Sequence, residues 1–378
     1  MKIVVSPDSY KGSLSATEVA RAIVETINQI NPTIETVLLP VADGGEGTLE
    51  PLIFATKGRF VNATVSDPLG RPIQALYGVL GDGETCVIEM ARASGLTLLT
   101  EQEKNPLETS TYGTGELIRH ALDQGFRKFI IGIGGSATND GGVGMLRALG
   151  MKFKNKVKEI IPNGGGYLGD IEEIDISGLD ERLQGSQFKL ACDVDNPLIG
   201  ANGATAVFGP QKGVTPDMIS HLDANLHVLA DKIAEVTGIH VHHTPGAGAA
   251  GGLGGAFLAF FPVHLKPGIE VVMEAIHFEN QIEGADFIIT GEGKTDQQTL
   301  SGKAPMGIAK AANKRGIPVI LVSGFIEAED KGELSSYFYK LVSIVDDSVS
   351  VDESMENPIH HLKAKTKEIM QAILKKEV

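Results

Sequence analysis

The chain has 378 residues, enough for two domains with proper cores or for one large one. With 42% hydrophobic and 21% charged residues it has ordinary globular composition, which argues against extended disorder. The formal charge of −15 excludes non-specific binding to nucleic acid or to an anionic membrane, which both need a basic surface, yet it leaves room for a small anionic substrate.

The 46 glycines exceed the roughly 7% of ordinary usage and cluster in short runs, which points to specialised loops. Cys86 and Cys192 have no CxxC spacing, so neither a disulfide framework nor a zinc site is expected, and a reducing, cytoplasmic setting fits. The N-terminus enters a strand-like run (2–7) at once, with no stretch of signal-peptide length. The most apolar later stretch, 256–265, is short and broken by Pro262 and His264, so no membrane span is expected.

In chain order, Ile3-Val4-Val5 predicts a buried strand and Ser15 opens a helix, with Glu18 completing a capping box. Val19, Ile23, Ile27 and Ile30 give that helix one apolar face. A second strand (37–39), a turn (43–47) and a helix through Leu49, Leu52 and Ile53 follow. From 61 to 90, three strand-like runs separated only by turns predict an antiparallel meander. Strand, turn and helix return over 128–150, and the glycine-rich passage 163–169 reads as a surface loop. Near the other end, a strand at 287–289, a turn, a helix over 301–315 and strands at 319–322 and 341–345 are expected. A last helix carries Leu362, Ile369 and Ile373 on one side.

β-Branched strands alternating with amphipathic helices predict a parallel sheet covered on both faces. The fold class is therefore α/β with two domains. Residues 1–62 and 280–378 form a discontinuous, Rossmann-like domain, and 63–279 form an inserted second α/β domain. Ligand sites commonly lie where two such domains face each other.

The glycine-rich turns carry the chemistry. The run 132–142 (GIGGSATNDGG) packs five glycines between a buried strand and a helix. Small residues admit an anion to the backbone, and the helix N-terminus offers N–H groups and a partial positive charge. The run 290–296 (TGEGKTD) tempts a P-loop assignment, but Ile288 stands where that pattern needs glycine. Glu292 and Asp296 beside Lys294 at a strand end nevertheless suit a metal-phosphate group. Residues 246–251 (GAGAAG) match GxGxxG, the dinucleotide pattern of a dehydrogenase, but Pro245 before and further glycines after fit a hinge or lid better.

Asp8 and Lys11 follow the first strand, and Asp43 and Glu46 the second. Parallel-sheet geometry brings such ends together. Asp193 and Asp195 follow an apolar strand at 188–191, and Lys212 sits in another turn, where it meets a phosphate or is simply exposed. His240, His242 and His243 read as a solvated edge strand rather than a metal site.

Taken together, SPDSYKGSLSA, PVADGGEGT, GIGGSATNDGG, CDVDNPLIG, AVFGPQKG, PGAGAAGGLGG and TGEGKTDQQTLSGKAP resemble the bacterial type-1 glycerate kinase family over essentially the whole chain. The resemblance implies ATP-dependent phosphorylation of D-glycerate, with 2-phosphoglycerate favoured over 3-phosphoglycerate. It also implies a flavodoxin-like domain paired with a restriction-enzyme-like one. ATP and glycerate are then the small-molecule partners and Mg²⁺ the cofactor.

Phosphoryl transfer needs a bound metal, donors on the phosphate oxygens and a group that orients the attacking hydroxyl. The expected phosphate-binding set is Gly134, Gly135, Ser136, Thr138, Asn139 and Lys212. Asp8, Ser13, Asp43 and Lys294 are expected to bind substrate, with Lys11 and Lys294 as the cations on the transferring group or the glycerate carboxylate. Asp193 or Asp296 is the expected base. Asp43, Glu292 and whichever of that pair is left are expected to hold Mg²⁺.

Overall fold

The structure is a computed structural model that describes residues 1–45, 47–327 and 330–375. Glu46, whose turn the sequence singles out, lies outside the described residues. In the first half of the chain the strands are β1 (Lys2–Val5), β2 (Glu35–Leu38), β3 (Arg59–Ser66), β4 (Pro72–Val79), β5 (Thr85–Glu89) and β6 (Lys128–Gly132). Then come β7 (Lys152–Lys154), β8 (Glu173–Asp175), β9 (Gln187–Ala191), β10 (Val263–Lys266), β11 (Phe287–Thr295), β12 (Val319–Ile326) and β13 (Lys340–Ser343).

The chain divides into two compact units. Met1–Asp43, Glu50–Lys57 and Pro267–Val378 form the first, Gly44–Leu49 and Gly58–Lys266 the second. Residues 267–279, which the sequence assigns to the inserted domain, thus go with the first unit. The reason is packing: Ile269 of the helix Gly268–Ala275 fills the space beside Gly307, where a Cβ would stand 2.6 Å from its side chain.

The first unit carries a five-stranded sheet in the order β13-β12-β11-β1-β2, parallel throughout. Numbered within the unit this is the 2-1-3-4-5 order of flavodoxin-type doubly wound sheets, not the classic dinucleotide order. Strand order reverses between β1 and β11, and in open α/β sheets that reversal is where ligands bind.

Ile3, Val5, Ile289, Ile320 and Val322 pack against Val19, Ile23 and Ile27 of the helix Ala16–Ile30, and against Leu362, Ile369 and Ile373 of the helix Pro358–Lys375. Val4, Ile288, Val319 and Leu321, which alternate with them, are fully buried as well, so both faces are covered. The first helix starts as its sequence dictates: Ser15 Oγ accepts from Glu18 N, and Glu18 reaches back to Ser15 N.

The second unit has a mixed six-stranded sheet, β10-β9-β6-β5-β4-β3, and a separate β7-β8 hairpin pair. β3, β4 and β5 form the expected antiparallel meander, and β5, β6, β9 and β10 run parallel. Phe129 and Phe188 stack at 4.8 Å in its core, with Phe261 edge-on to Phe188 at 5.0 Å. The passage 163–169 is not a loose surface loop. Gly165 lies so close to the main chain of Asn139 that a Cβ would stand 2.4 Å from its carbonyl oxygen, and Asn225 Nδ2 donates to the carbonyls of Gly165 and Gly166.

No helix among the described residues is long and apolar enough to cross a membrane.

Candidate active site

In the first unit, strand pairing extends beyond β1. Ser6 N donates to Ile289 O and Asp8 N to Gly291 O, each at 2.8 Å. This carries the Asp8 carboxylate to the carboxyl end of β1, beside β11, at the point where strand order reverses.

Segment 290–295 is not a turn. It is the end of β11, paired in parallel with β12 through Ile326. Glycine is required at 291 because a Cβ there would stand 2.0 Å from Val322 O. Glu292 is buried, 5% exposed, whereas Lys294 is 56% exposed and paired with Glu327 at 2.6 Å.

Glu292 Oε1 accepts from Thr295 Oγ1 at 2.8 Å and Thr299 Oγ1 at 2.6 Å, and Thr295 Oγ1 lies 2.6 Å from Ser323 Oγ. Burial raises the Glu292 carboxyl above its usual range despite these donors. Burial, and then the neighbouring Asp43 and Glu292 carboxylates, push Asp8 up to about 7. Asp43 and Glu292 thus both lie close enough to Asp8 to disfavour its charge. Tyr10, missed by the sequence reading, packs beneath them, its hydroxyl donating to Val322 O at 2.6 Å.

Other residues of the expected site take different stations. Asp296 caps the short helix Gln297–Leu300, its Oδ1 accepting from Gln298 N at 2.9 Å, so that oxygen is already committed. Lys11 is exposed in the turn closed by Tyr10 and Leu14, and its main-chain nitrogen would stand 3.1 Å from a Cβ at Gly293. Ser13 is half-buried in the same turn and donates its N–H to Tyr10 O.

In the second unit, the turn after β6 has a different construction. Asp140, for which the sequence alone suggests no role, organises it. Its Oδ2 accepts from Thr111 N at 2.8 Å, Thr111 Oγ1 at 2.9 Å and Gly144 N at 3.1 Å, while Oδ1 accepts from Gly142 N at 3.1 Å. Met145 N donates to Thr111 Oγ1 and Gly141 N to Gly251 O. The N–H groups expected to be free for an anion at the start of the helix Val143–Ala148 are thus consumed within the unit. Burial holds the Asp140 carboxyl up in spite of its four-sided hydrogen bonding.

The residues of that turn separate by exposure. Gly135 is exposed and Gly134 partly so, whereas Ser136, Thr138 and Asn139 are buried. Lys212 is 1% exposed, not a surface cation, and its Nζ donates to Ser136 Oγ and Thr138 O, both at 2.7 Å. Desolvation lowers it to about 7. Asn139 Nδ2 donates to Thr205 Oγ1 at 2.9 Å. The Thr138 Oγ1 and Asn139 Oδ1 atoms are buried without a partner, as is Thr48 Oγ1.

Thr48 lies in 44–49, which goes with the second unit: Gly44 O would stand 2.8 Å from a Cβ at Gly132, and Leu49 N donates to Glu89 Oε1. Asp193 follows β9, whose last residue, Ala191, is in register with Gly132 of β6. Asp193 is therefore exposed at the same sheet edge as the turn.

The GxGxxG-like run does not open a long helix as a dinucleotide loop does. It packs onto the turn, with Ala250 and Gly251 left-handed and a Cβ at Gly251 only 2.0 Å from Thr138 O. His240, His242 and His243 lie in turn and irregular structure rather than on an edge strand.

Carboxylates near a strand-order reversal in the first unit, and a glycine turn at a strand end in the second, each suit the binding of a metal-phosphate group. Residues 3–374 match the glycerate kinase family. A glycerate kinase of Bacillus subtilis (strain 168) is 48% identical over 373 residues, 99% of this chain and 98% of that protein. The glycerate 2-kinase of Escherichia coli (strain K12) is 51% identical over 324 residues, 86% of this chain and 85% of its own. A crystal structure from Salmonella typhimurium LT2, provisionally named glycerate kinase 2, superposes with a TM-score of 0.91 at 44% identity, covering 100% of this chain and 99% of that one. The chain belongs to the glycerate kinase family.

Proposed function

We propose that the protein transfers the γ-phosphoryl group of ATP to the 2-hydroxyl of D-glycerate with the help of Mg²⁺, in the cytoplasm. The observation that carries this reading is the cluster of Asp8, Asp43 and Glu292 at the β1–β11 reversal. Hard carboxylate oxygens are the donor set Mg²⁺ takes, and Asp8 already feels the charge of the other two. The similarity to proteins named glycerate kinase supports the acceptor, and the relative named glycerate 2-kinase supports the position. The free thiols of Cys86 and Cys192 suit a reducing compartment.

Asp8, Asp43 and Glu292 would hold the ion, which when bound neutralises charge on the phosphate oxygens. Thr295 and Thr299 hold Glu292 in place for that role before any ligand arrives. Asp193, exposed just after β9, takes the hydroxyl proton. Lys11, and not the ion-paired Lys294, carries the cationic contact to the transferring group or the glycerate carboxylate. Gly134 and Gly135 offer main-chain N–H groups to the nucleotide phosphates, backed by Lys212 through Ser136. Binding of an anion there would favour the charged form of Lys212, whose burial otherwise disfavours it.

The test is to give the purified protein MgATP and a panel of small hydroxy acids and to follow ADP release. ADP formation with D-glycerate well above that with lactate is expected; no ADP with any acid would overturn the kinase reading.

A further inference from the structure

Outside the kinase machinery the second unit carries a second metal-ligating cluster. The helix Pro216–Thr237 buries Leu222, Leu226, Leu229 and Ile233 and ends at Gly238, left-handed at φ 73°. His227 and Asp231 lie one turn apart on its outer side. The chain then reverses, Val241 is fully buried, and the His242 carbonyl accepts from Leu198 N at 3.1 Å and Ile199 N at 3.4 Å. The reversal sets the His242 ring, 16% exposed, back against the helix.

His227 Nδ1 stands 3.3 Å from Asp231 Oδ2, and His242 Nε2 stands 3.0 Å from Asp231 Oδ1. One donor atom from each of the three lies within 4.8 Å of the others. A four-coordinate ion with N and O ligands at its usual bond lengths separates them by about 3.3 Å, a spacing that each imidazole already keeps to one or other of the Asp231 oxygens. The nearby Lys232 is engaged by Glu235 at 3.1 Å, and a surface recess lined by His240, His242, His243, Thr244 and Pro245 supplies further imidazoles.

We propose that His227, Asp231 and His242 form a binding site for a borderline divalent transition ion such as Zn²⁺, separate from the Mg²⁺ of the phosphoryl transfer. Two imidazoles and one carboxylate select Zn²⁺, Ni²⁺ or Cu²⁺, whereas Mg²⁺ prefers all-oxygen octahedral surroundings and does not compete. The ion fastens the segment 240–245 to the helix. That segment leads straight into the glycine run whose Gly251 packs on Thr138, so the fastening acts on the support of the glycine turn.

The test is calorimetric titration of the untagged full chain with Zn²⁺ in excess Mg²⁺. One Zn²⁺ per chain is expected, with affinity falling by at least about tenfold in His242→Ala and in His227→Ala, and unchanged in His360→Ala, a histidine outside the cluster. No binding by the parent chain, or equal binding by all three variants, overturns the site. Cu²⁺ electron paramagnetic resonance on the unmutated protein is an independent reading. Hyperfine splitting from two nitrogens supports the assignment, and oxygen-only ligation contradicts it.

Discussion

Two segments look alike in the sequence and are built in opposite ways. Residues 290–296 and 132–142 both follow buried strands, and both mix glycine with Thr and acidic residues. The first continues as strand, its glycine at 291 lets β12 approach, and the Glu292 carboxylate is buried near Asp8 at the β1–β11 reversal. The second is a true turn, but Asp140 and Thr111 take the N–H groups of its helix end, and Gly251 O takes that of Gly141. Glycine content says only that backbone approaches something closely. Which groups are already bonded decides whether that something is a ligand or the protein itself.

Four substitutions test how differently the two segments are built. Asp193→Asn should lower turnover by about 10² or more with a smaller change in the Michaelis constant for ATP, because the base acts only as the hydroxyl attacks. Steady-state kinetics with normal turnover would remove Asp193 from that role. Glu292→Gln should raise the Mg²⁺ concentration for half-maximal activity by about 10- to 100-fold, as expected when a carboxylate at a metal is neutralised. An unchanged Mg²⁺ titration would show that the first unit's cluster holds no metal.

Gly251→Ala should cost about 2 kcal/mol or more in denaturant unfolding, from a Cβ forced both into left-handed backbone and against Thr138 O. A neutral result would mean the run yields as a hinge does. A pH-dependent effect concerns Lys212. Burial drops it from its ordinary range to about 7, so between about 7 and the ordinary lysine range the unfolded chain binds the extra proton. Folding stability should therefore rise with pH across that window, by at most about 1.4 kcal/mol per unit. Below it both states are protonated and the cost of the buried charge is present in full. Lys212→Met should flatten this component, read as the difference between wild-type and variant melting temperatures at pH 7 and pH 9; parallel curves would contradict it.

Much of the fold was legible because its causes are local. The Ser15–Glu18 capping box, the 3.6-residue face of Val19, Ile23 and Ile27, and the turn-separated meander of β3 to β5 each arise within a few residues. What escaped depends on partners far along the chain. Thr111 and Asp140 are 29 residues apart, Lys212 and Ser136 76 apart, and Val322 meets Gly291 only through β-pairing. The site was legible by residue type rather than by role. Glu292, Asp8 and Asp43 were named as acids at strand ends, while Asp296 is a cap, Lys212 is an internal strut, and the division between the units falls directly after Asp43.

Phosphorus NMR of the product formed from MgATP and D-glycerate tests the central claim most directly. A phosphate on the 2-hydroxyl couples to the single C2 proton and should give one new phosphomonoester doublet alongside ADP. A triplet, from coupling to the two C3 protons, would contradict the proposed position, and ATP signals left unchanged would contradict the phosphoryl transfer itself.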